Sequence, residues 1–339
     1  MKSIINIIKK NIQKSSNPIK IIKSYYQPIT DQYLLSQSIF LKKELEIRLS
    51  HRVNDLINLP YGLPHTNEIS NLTDAYVSSL TNITDLSPIT NNTDVKNFTK
   101  ILEQIRDRHS NAEFQVSKGI QKIKYFDLIN NKILNKNLDK FFIERIGVRT
   151  LIGQQLLSST HKEHLVKKCN IKTIITDVVN DINISCDRIY HDYANINISV
   201  DSDINILYIP SHIYYIVSEI TKNSVIAHFN NNCKDLPINI YCYEGDNDII
   251  IKITDSGLGF PRNKIDKLMS YYYSSNPIEI TPELEVTNQP ILGGFGVGLP
   301  LAKVYSKYLG GDIRVNPIEN LGTEILIYLD KTTESIENI

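Results

Sequence analysis

Glu219-Ile220-Thr221-Lys222-Asn223-Ser224, Asp255-Ser256-Gly257-Leu258-Gly259 and Gly293-Gly294-Phe295-Gly296-Val297-Gly298-Leu299-Pro300 decide how this chain is read. The first stretch sits in a segment of helical period. Pro210-Ser211 supplies a start signal, and Ile213, Ile216, Val217 and Ile220 fall on one side. The i, i+4 spacing then sets Tyr215, Glu219 and Asn223 in a row on another side, with Lys222 beside them. A carboxylate one turn before an amide suits a base next to a metal-bound phosphate. The amide oxygen is a hard, neutral ligand of the kind Mg²⁺ accepts while it keeps water and phosphate around it. On its own such a row reads more readily as an exposed polar face.

The second stretch closes the apolar run Ile249-Ile250-Ile251-Lys252-Ile253-Thr254, which has the pattern of a buried strand. Asp255 therefore stands at a strand end, where its carboxylate can accept from an adenine amino group. Gly257 and Gly259 let the backbone turn tightly under the base. The third stretch opens a helix that carries Leu301, Val304, Tyr305 and Tyr308 and stops at Gly310-Gly311. Glycine amides at a helix N-terminus suit polyphosphate. It is not a Walker loop, because no Lys-Ser or Lys-Thr follows, and no βαβ context supports a dinucleotide fingerprint. Each element alone is weak. Three in this order, ending in Gly322-Thr323 before the last strand, are the parts of an ATP pocket.

Working outward, residues 33–160 have helical apolar spacing and few glycines, with turn signals at Leu59-Pro60-Tyr61-Gly62-Leu63-Pro64 and Leu86-Ser87-Pro88. The pattern predicts helices over 33–58, 68–84, 94–124 and 137–158, a four-helix bundle. In the third, Phe98, Ile101, Ile105, Ala112, Val116, Ile120 and Ile123 make one stripe, and His109 falls within it. After about residue 170, β-rich runs at 204–209, 238–243, 249–254, 312–315 and 324–329 alternate with amphipathic helices. Glu244-Gly245-Asp246-Asn247-Asp248 reads as a hairpin loop, so the sheet is at least partly antiparallel. The expected organisation is a presequence over 1–30, a helical bundle over 31–165, an α/β sandwich with a mixed sheet over 166–332, and a short tail over 333–339.

Of the 339 residues, 41% are apolar and 22% charged, the balance of an ordinary globular chain with room for two cores. Lys+Arg and Asp+Glu number 37 each, leaving no global field to gather nucleic acid. Cys169, Cys186, Cys233 and Cys242 have neither zinc-site nor disulfide-framework spacing. Lys2, Lys9, Lys10, Lys14, Lys20 and Lys23 precede the first acid, Asp31, with isoleucines and serines between them. That suits a mitochondrial presequence, the alternative being a solvated Lys-rich tail. The long apolar core of a secretory signal is missing, and no membrane insertion is expected.

The three elements resemble the nucleotide-binding boxes of the ATPase/kinase superfamily that includes histidine kinases, the Hsp90 chaperone and MutL. A closer resemblance, to the mitochondrial 2-oxoacid dehydrogenase kinases, runs through "FLKKELEIRLSHR", "IRDRHSN", "LDKFFIERIGVRTLIGQQ", "IPSHIYYIVSEITKNS", "KIDKLMSYYYSS" and "GGFGVGLPLAKVYSKYLGGDI". It implies an ATP- and Mg²⁺-dependent kinase of the mitochondrial matrix. Such a kinase phosphorylates serine on an E1 component, meets it on the lipoyl-bearing E2 core, and is a homodimer.

The resemblance makes Glu219 the general base with His109 oriented toward it, Asn223 the Mg²⁺ ligand and Lys222 a phosphate contact. It makes Asp255 the adenine acceptor, Gly257 and Gly259 the base-side turn, Gly294, Gly296 and Gly298 the phosphate loop, and Thr323 a further adenine-side contact. The chain departs from the family pattern at Ile226 (usually Arg), Tyr215 (often His) and Leu258 (a glycine), which keeps a nucleotide-binding scaffold without catalysis in play beside a histidine kinase. The short tail, with "SHRVNDLINLPY", "NITDLSPIT" and "YLGGDI", leads us to expect branched-chain E1 as the substrate over pyruvate E1.

Overall fold

The computed structural model describes residues 2–123, 131–272, 296–332 and 337. The chain divides into two compact units, Met1–Leu165 with Ile336–Ile339, and Val166–Ser335.

The first unit is helical. α1 (Lys2–Asn11), α2 (Asp31–Ile57), α3 (Asn67–Thr84), α4 (Asn92–Arg108), α5 (Ala112–Gln121) and α6 (Asn131–Thr160) follow one another along the chain. Leu41, Leu45, Leu49, Val53 and Leu56 recur along α2 at helical spacing, each at most 3% exposed, and α2 packs on α1, α3, α4 and α6. Charge inside this bundle is paired. Arg52 meets Glu144 and Asp55, the latter at 2.6 Å, and Arg48 bridges Glu44 at 2.8 Å and Glu337 at 2.6 Å. Unpaired, such buried guanidinium groups would cost several kcal/mol.

Two features differ from the expected bundle. The single helix expected over 94–124 is two, because His109 leaves the helical conformation (φ −96, ψ 8) and Ser110-Asn111 turns the chain. Short polar side chains favour such ends. The buried Arg145 secures this one, donating to the freed His109 carbonyl at 2.7 Å and pairing with Glu113 at 2.8 Å. Residues 11–22 are also woven into the unit. Asn11 Nδ2 donates to the Glu46 carbonyl and to Ser50, Asn17 bonds Glu44 through N and Nδ2, and Ile19 and Glu337 exchange bonds at 3.1 Å. Ile21 and Ile22 are each 2% exposed.

The second unit is an α/β sandwich. β2 (Ile196–Ser199), β4 (Ile238–Glu244), β5 (Asp248–Asp255), β7 (Gly322–Asp330) and β6 (Asp312–Ile318) form a five-stranded sheet in the order β2-β4-β5-β7-β6. Among the described residues only the β2–β4 pair of this sheet is parallel, and the β4–β5 hairpin closes through residues 244–248 as the loop composition predicts. Alternation sets the faces. Ile238, Ile240, Ile249, Ile251, Ile253, Ile325, Ile327 and Leu329 are buried, whereas Tyr241, Lys252 and Tyr328 are not. α8 (Pro210–Asn230) packs on α7 (Ile171–Tyr190) and on α10 (Gly298–Tyr308), all three lie against the sheet, and a short α9 (Ile265–Leu268) precedes α10. The run at 204–209 becomes β3 (Asn205–Tyr208), which pairs with β1 (Lys167–Asn170) in a separate antiparallel ribbon. Lys167-Lys168-Cys169-Asn170 has no apolar alternation to announce that partner.

Candidate nucleotide site

α8 begins at the expected Pro210-Ser211, with Pro210 at its first position and Ile209 as N-cap, and no side chain caps it. Ile213, Ile216, Val217 and Ile220 are fully buried, each stabilising the helix on the sheet by roughly 1.5–3 kcal/mol. That anchoring fixes the opposite row. Tyr215 packs against Tyr305 of α10 with ring planes tilted by 42° and centroids 4.6 Å apart. One turn on, Glu219 forms an ion pair with Lys222. Asn223 is exposed.

The Glu219 carboxylate lies against the first residue of α10. A Cβ built on Gly298 would come within 2.1 Å of Glu219 Oε2, so the contact exists only because Gly298 has no side chain. A helix N-terminus carries partial positive charge, and both the carboxylate and any phosphate nearby are stabilised by it. Gly296, just before, has φ +78. Gly294 lies outside the described residues.

At the other end, β5 delivers Asp255. Oδ1 accepts from the Gly257 amide at 3.1 Å and the Thr323 amide at 3.2 Å, and Oδ2 accepts from the Ser224 hydroxyl at 3.2 Å. The turn is tight enough to demand glycine twice. A Cβ on Gly259 (φ +53) would meet the Ile318 carbonyl oxygen at 2.1 Å, and one on Gly322 (φ +125) would meet the Asp255 carbonyl at 2.0 Å. α8 through Ser224, the turn after β5 through Gly257, and β7 through Thr323 thus converge on the carboxylate that β5 delivers.

Gly322 belongs to this arrangement beside the expected Thr323, and so do Ser224 and a histidine on α8, His228, neither of which was assigned a site role from the sequence. Ser224 and His228 stand four apart on the buried side of α8, where Thr221 also interrupts the isoleucines and valines, and those polar breaks in an apolar stripe were the available signal. Among the departures from the family pattern, Ile226 is 8% exposed and Leu258 is 49% exposed.

His109 sits in the helical unit. Its ring stacks on Tyr76 with centroids 4.0 Å apart, and Nε2 is 3.0 Å from the Ser79 hydroxyl. Burial foremost, then the Arg145 charge, lowers its pKa to about 3, so the ring is neutral at ordinary pH. Among the described residues no group of three or more His, Cys, Asp or Glu is arranged to hold a metal ion, and no helix is long and apolar enough to cross a membrane.

A glycine-opened helix, a carboxylate-bearing helix and a strand-end aspartate on one mixed sheet define a nucleotide-binding domain of the histidine kinase-, DNA gyrase B- and HSP90-like ATPase class, and residues 208–333 match that family. Residues 20–178 match the family described as mitochondrial branched-chain alpha-ketoacid dehydrogenase kinase. The chain is 30% identical over 322 residues to the mitochondrial [pyruvate dehydrogenase (acetyl-transferring)] kinase of Arabidopsis thaliana, covering 91% of this chain and 88% of that one. It is also 30% identical to human isozyme 4 of that kinase (88% and 78% covered) and to human isozyme 1 (89% and 74%). The chain belongs to the mitochondrial 2-oxoacid dehydrogenase kinase family.

Proposed function

We propose that the chain is a Mg-ATP-dependent protein kinase that transfers phosphate to a serine of the E1 component of a 2-oxoacid dehydrogenase complex. The observation that carries this reading is the seating of the Glu219 carboxylate against Gly298 at the α10 N-terminus. ATP bound there supplies the phosphoryl group, and Mg²⁺ supplies charge neutralisation as it moves. The residues present fit both. Asn223 offers one exposed hard oxygen, enough for an ion that keeps phosphate and water as its other ligands. The Asp255 carboxylate, already bonded by three donors, is held in place to accept an adenine amino group, with Gly257, Gly259 and Thr323 around it. Gly294, Gly296 and Gly298 are assigned the phosphate loop.

Glu219 accepts the serine proton as the hydroxyl attacks, a role worth roughly 10²- to 10⁴-fold. Lys222 pairs with Glu219 in this structure and turns to the phosphate when nucleotide is present. His109 is given no proton transfer, because its ring is 3% exposed within the helical unit and Nε2 is engaged by Ser79. The same burial argues against phosphorylation of His109 itself, and so against a histidine kinase.

The relatives are named for pyruvate dehydrogenase, so we infer pyruvate E1 as the substrate in place of the branched-chain E1 expected from sequence. The family relation supports a mitochondrial matrix location, docking on the lipoyl-bearing E2 core and pairing with a second copy of the chain. A second reading, an ATP-binding scaffold without transfer, is favoured by one observation: Ile226 puts a buried apolar side chain where the family carries a cation.

The test is Glu219→Gln, which keeps size and hydrogen bonding and removes the proton acceptor. ATP affinity should stay within a few-fold while E1 phosphorylation falls by about 10² or more. Unchanged turnover removes Glu219 from the chemistry, and wild-type protein that binds Mg-ATP yet labels neither E1 favours the scaffold.

A further inference from the structure

One residue beside the adenine-side carboxylate has no role in this reading. His228 follows Ser224 by one helical turn on the buried side of α8 and is 2% exposed. Among the described residues its Nε2 has no hydrogen-bond partner. The Leu236 backbone favours the protonated ring, as a carbonyl near a ring nitrogen does. With Nε2 unbonded, the nitrogen it favours is Nδ1, and the neutral ring then carries its proton there.

Nε2 is then a bare acceptor, and it faces another one, Asp255 Oδ1, at 4.0 Å. No side chain separates them. A Cβ built on Gly257 would meet Asp255 Oδ1 at 3.1 Å and His228 Cδ2 at 3.4 Å. Two buried acceptors opposed at that distance lack a donor between them, and a buried polar atom left unbonded is costly. A proton on Nε2 supplies the donor and turns the contact into an ion pair.

The ionisable groups around the ring are few. β5 contributes Asp255, α8 itself has Lys222 and Glu219 roughly two turns earlier, and the turn after α8 has Asp235 and Lys234, the latter paired with Asp192. α7 contributes Tyr190, stacked on Phe229 at 4.1 Å, and α10 has Lys303 and Lys307. Of these, Asp255 is the one whose charge bears on the imidazole.

We propose that His228 is a positioning residue for nucleotide recognition. Its neutral ring leaves the Asp255 carboxylate where its three donors hold it, with acceptor capacity remaining on Oδ2 for a purine amino group, and protonation from solvent pulls Oδ1 toward Nε2–H, turns the carboxylate and weakens ATP binding. The proposal rests on the reading of Asp255 as the adenine acceptor. Burial foremost lowers the His228 pKa from 6.5 while Asp255 opposes it, so the ring is neutral in neutral solution and the pair forms on acidification. Linkage makes the effect reciprocal: ATP, by occupying Asp255, must lower the ring's affinity for its proton.

The experiment is calorimetric titration of the full-length protein with Mg-ATP at pH 7.5 and pH 5.5, comparing wild type, His228→Gln and Asp255→Asn. The nucleotide's own titration is common to all three and cancels in the comparison. Wild type should lose about 5- to 10-fold more affinity on acidification than His228→Gln, a coupling of ordinary size. Asp255→Asn should bind weakly at both pH values. If Asp255→Asn is impaired but His228→Gln shows the wild-type pH profile, the His228 proposal is overturned and the adenine site stands. If Asp255→Asn binds like wild type, the reading of the site fails and the proposal falls with it. Should His228→Gln not fold, imidazole NMR of the wild type decides. Saturating Mg-ATP must lower the pKa of one histidine, and no shift at any histidine overturns the proposal.

Discussion

At Gly298 the missing side chain is a contact. Gly298→Ala would set a methyl 2.1 Å from Glu219 Oε2, and because that oxygen is the end of a flexible side chain, the carboxylate yields while the backbone stays. Alanine is also the better helix former. The variant should therefore melt within a few degrees of wild type, while phosphoryl transfer falls by about 10² or more as the carboxylate proposed as the base leaves its place. Melting temperature and initial rate, measured on one preparation, check this, and full activity would mean that Glu219 does not act from this position. The residues proposed to reach the nucleotide were picked out in the sequence because spacing alone aligns them: Glu219 with Asn223 on a helix, Asp255 at a strand end, Gly298 at a helix start. Ser224 and His228 were not. They lie on the apolar face of α8, where periodicity speaks for core, and only the pairing of that face with Asp255 shows what they touch.

At the scale of elements, hydrophobic period located the main strands and long helices, and it failed where local geometry overrules it. The stripe over 94–124 continues in register across His109–Asn111 although the helix does not, since the break is held by Arg145, far along the chain, through the His109 carbonyl. The N-terminal segment is the second case. A lysine-rich, acid-free stretch reads as a leader, yet Asn11, Asn17, Ile21 and Ile22 pack into the helical unit, and Asn17 holds Glu44, which in turn pairs Arg48. Deleting residues 2–10 should leave this unit's stability close to wild type. Deleting residues 2–30 removes two buried isoleucines, each worth roughly 1.5–3 kcal/mol, and strips Glu44 of its asparagine partner, so the protein should melt many degrees lower or accumulate insoluble. Circular-dichroism melts of the two truncations separate these outcomes. Equal stability would mean that residues 11–30 add nothing to the unit, whereas the expected loss would confine any cleaved import signal to the stretch before Asn11.

Over the whole molecule, acid is the condition that tests both units at once. His109 in the helical unit and His228 in the α/β unit each titrate lower when folded than the ordinary 6.5 of a histidine, burial being the larger cause in both. Between those values the unfolded chain holds a proton that the folded chain refuses, so the stability each ring confers is fully present above pH 6.5 and drains away as pH falls. For His109 the window extends down to about pH 3. Carboxylates such as Glu68 and Glu144, held below their usual 4.5, add to the loss only from about that value downward. From about pH 6 to pH 4.5 the slope should therefore come chiefly from histidine, near 1.4 kcal/mol per pH unit for each ring still neutral. Urea unfolding of wild type and His109→Asn across that range checks it. Absolute stability will drop in the variant because the Tyr76 stack is lost, so the diagnostic quantity is the slope, which should fall by one proton's worth in the transition assigned to the helical unit and stay unchanged in the other. An equal slope in both proteins would mean that His109 is already charged in the folded unit, and the account of its burial beside Arg145 would have to be given up.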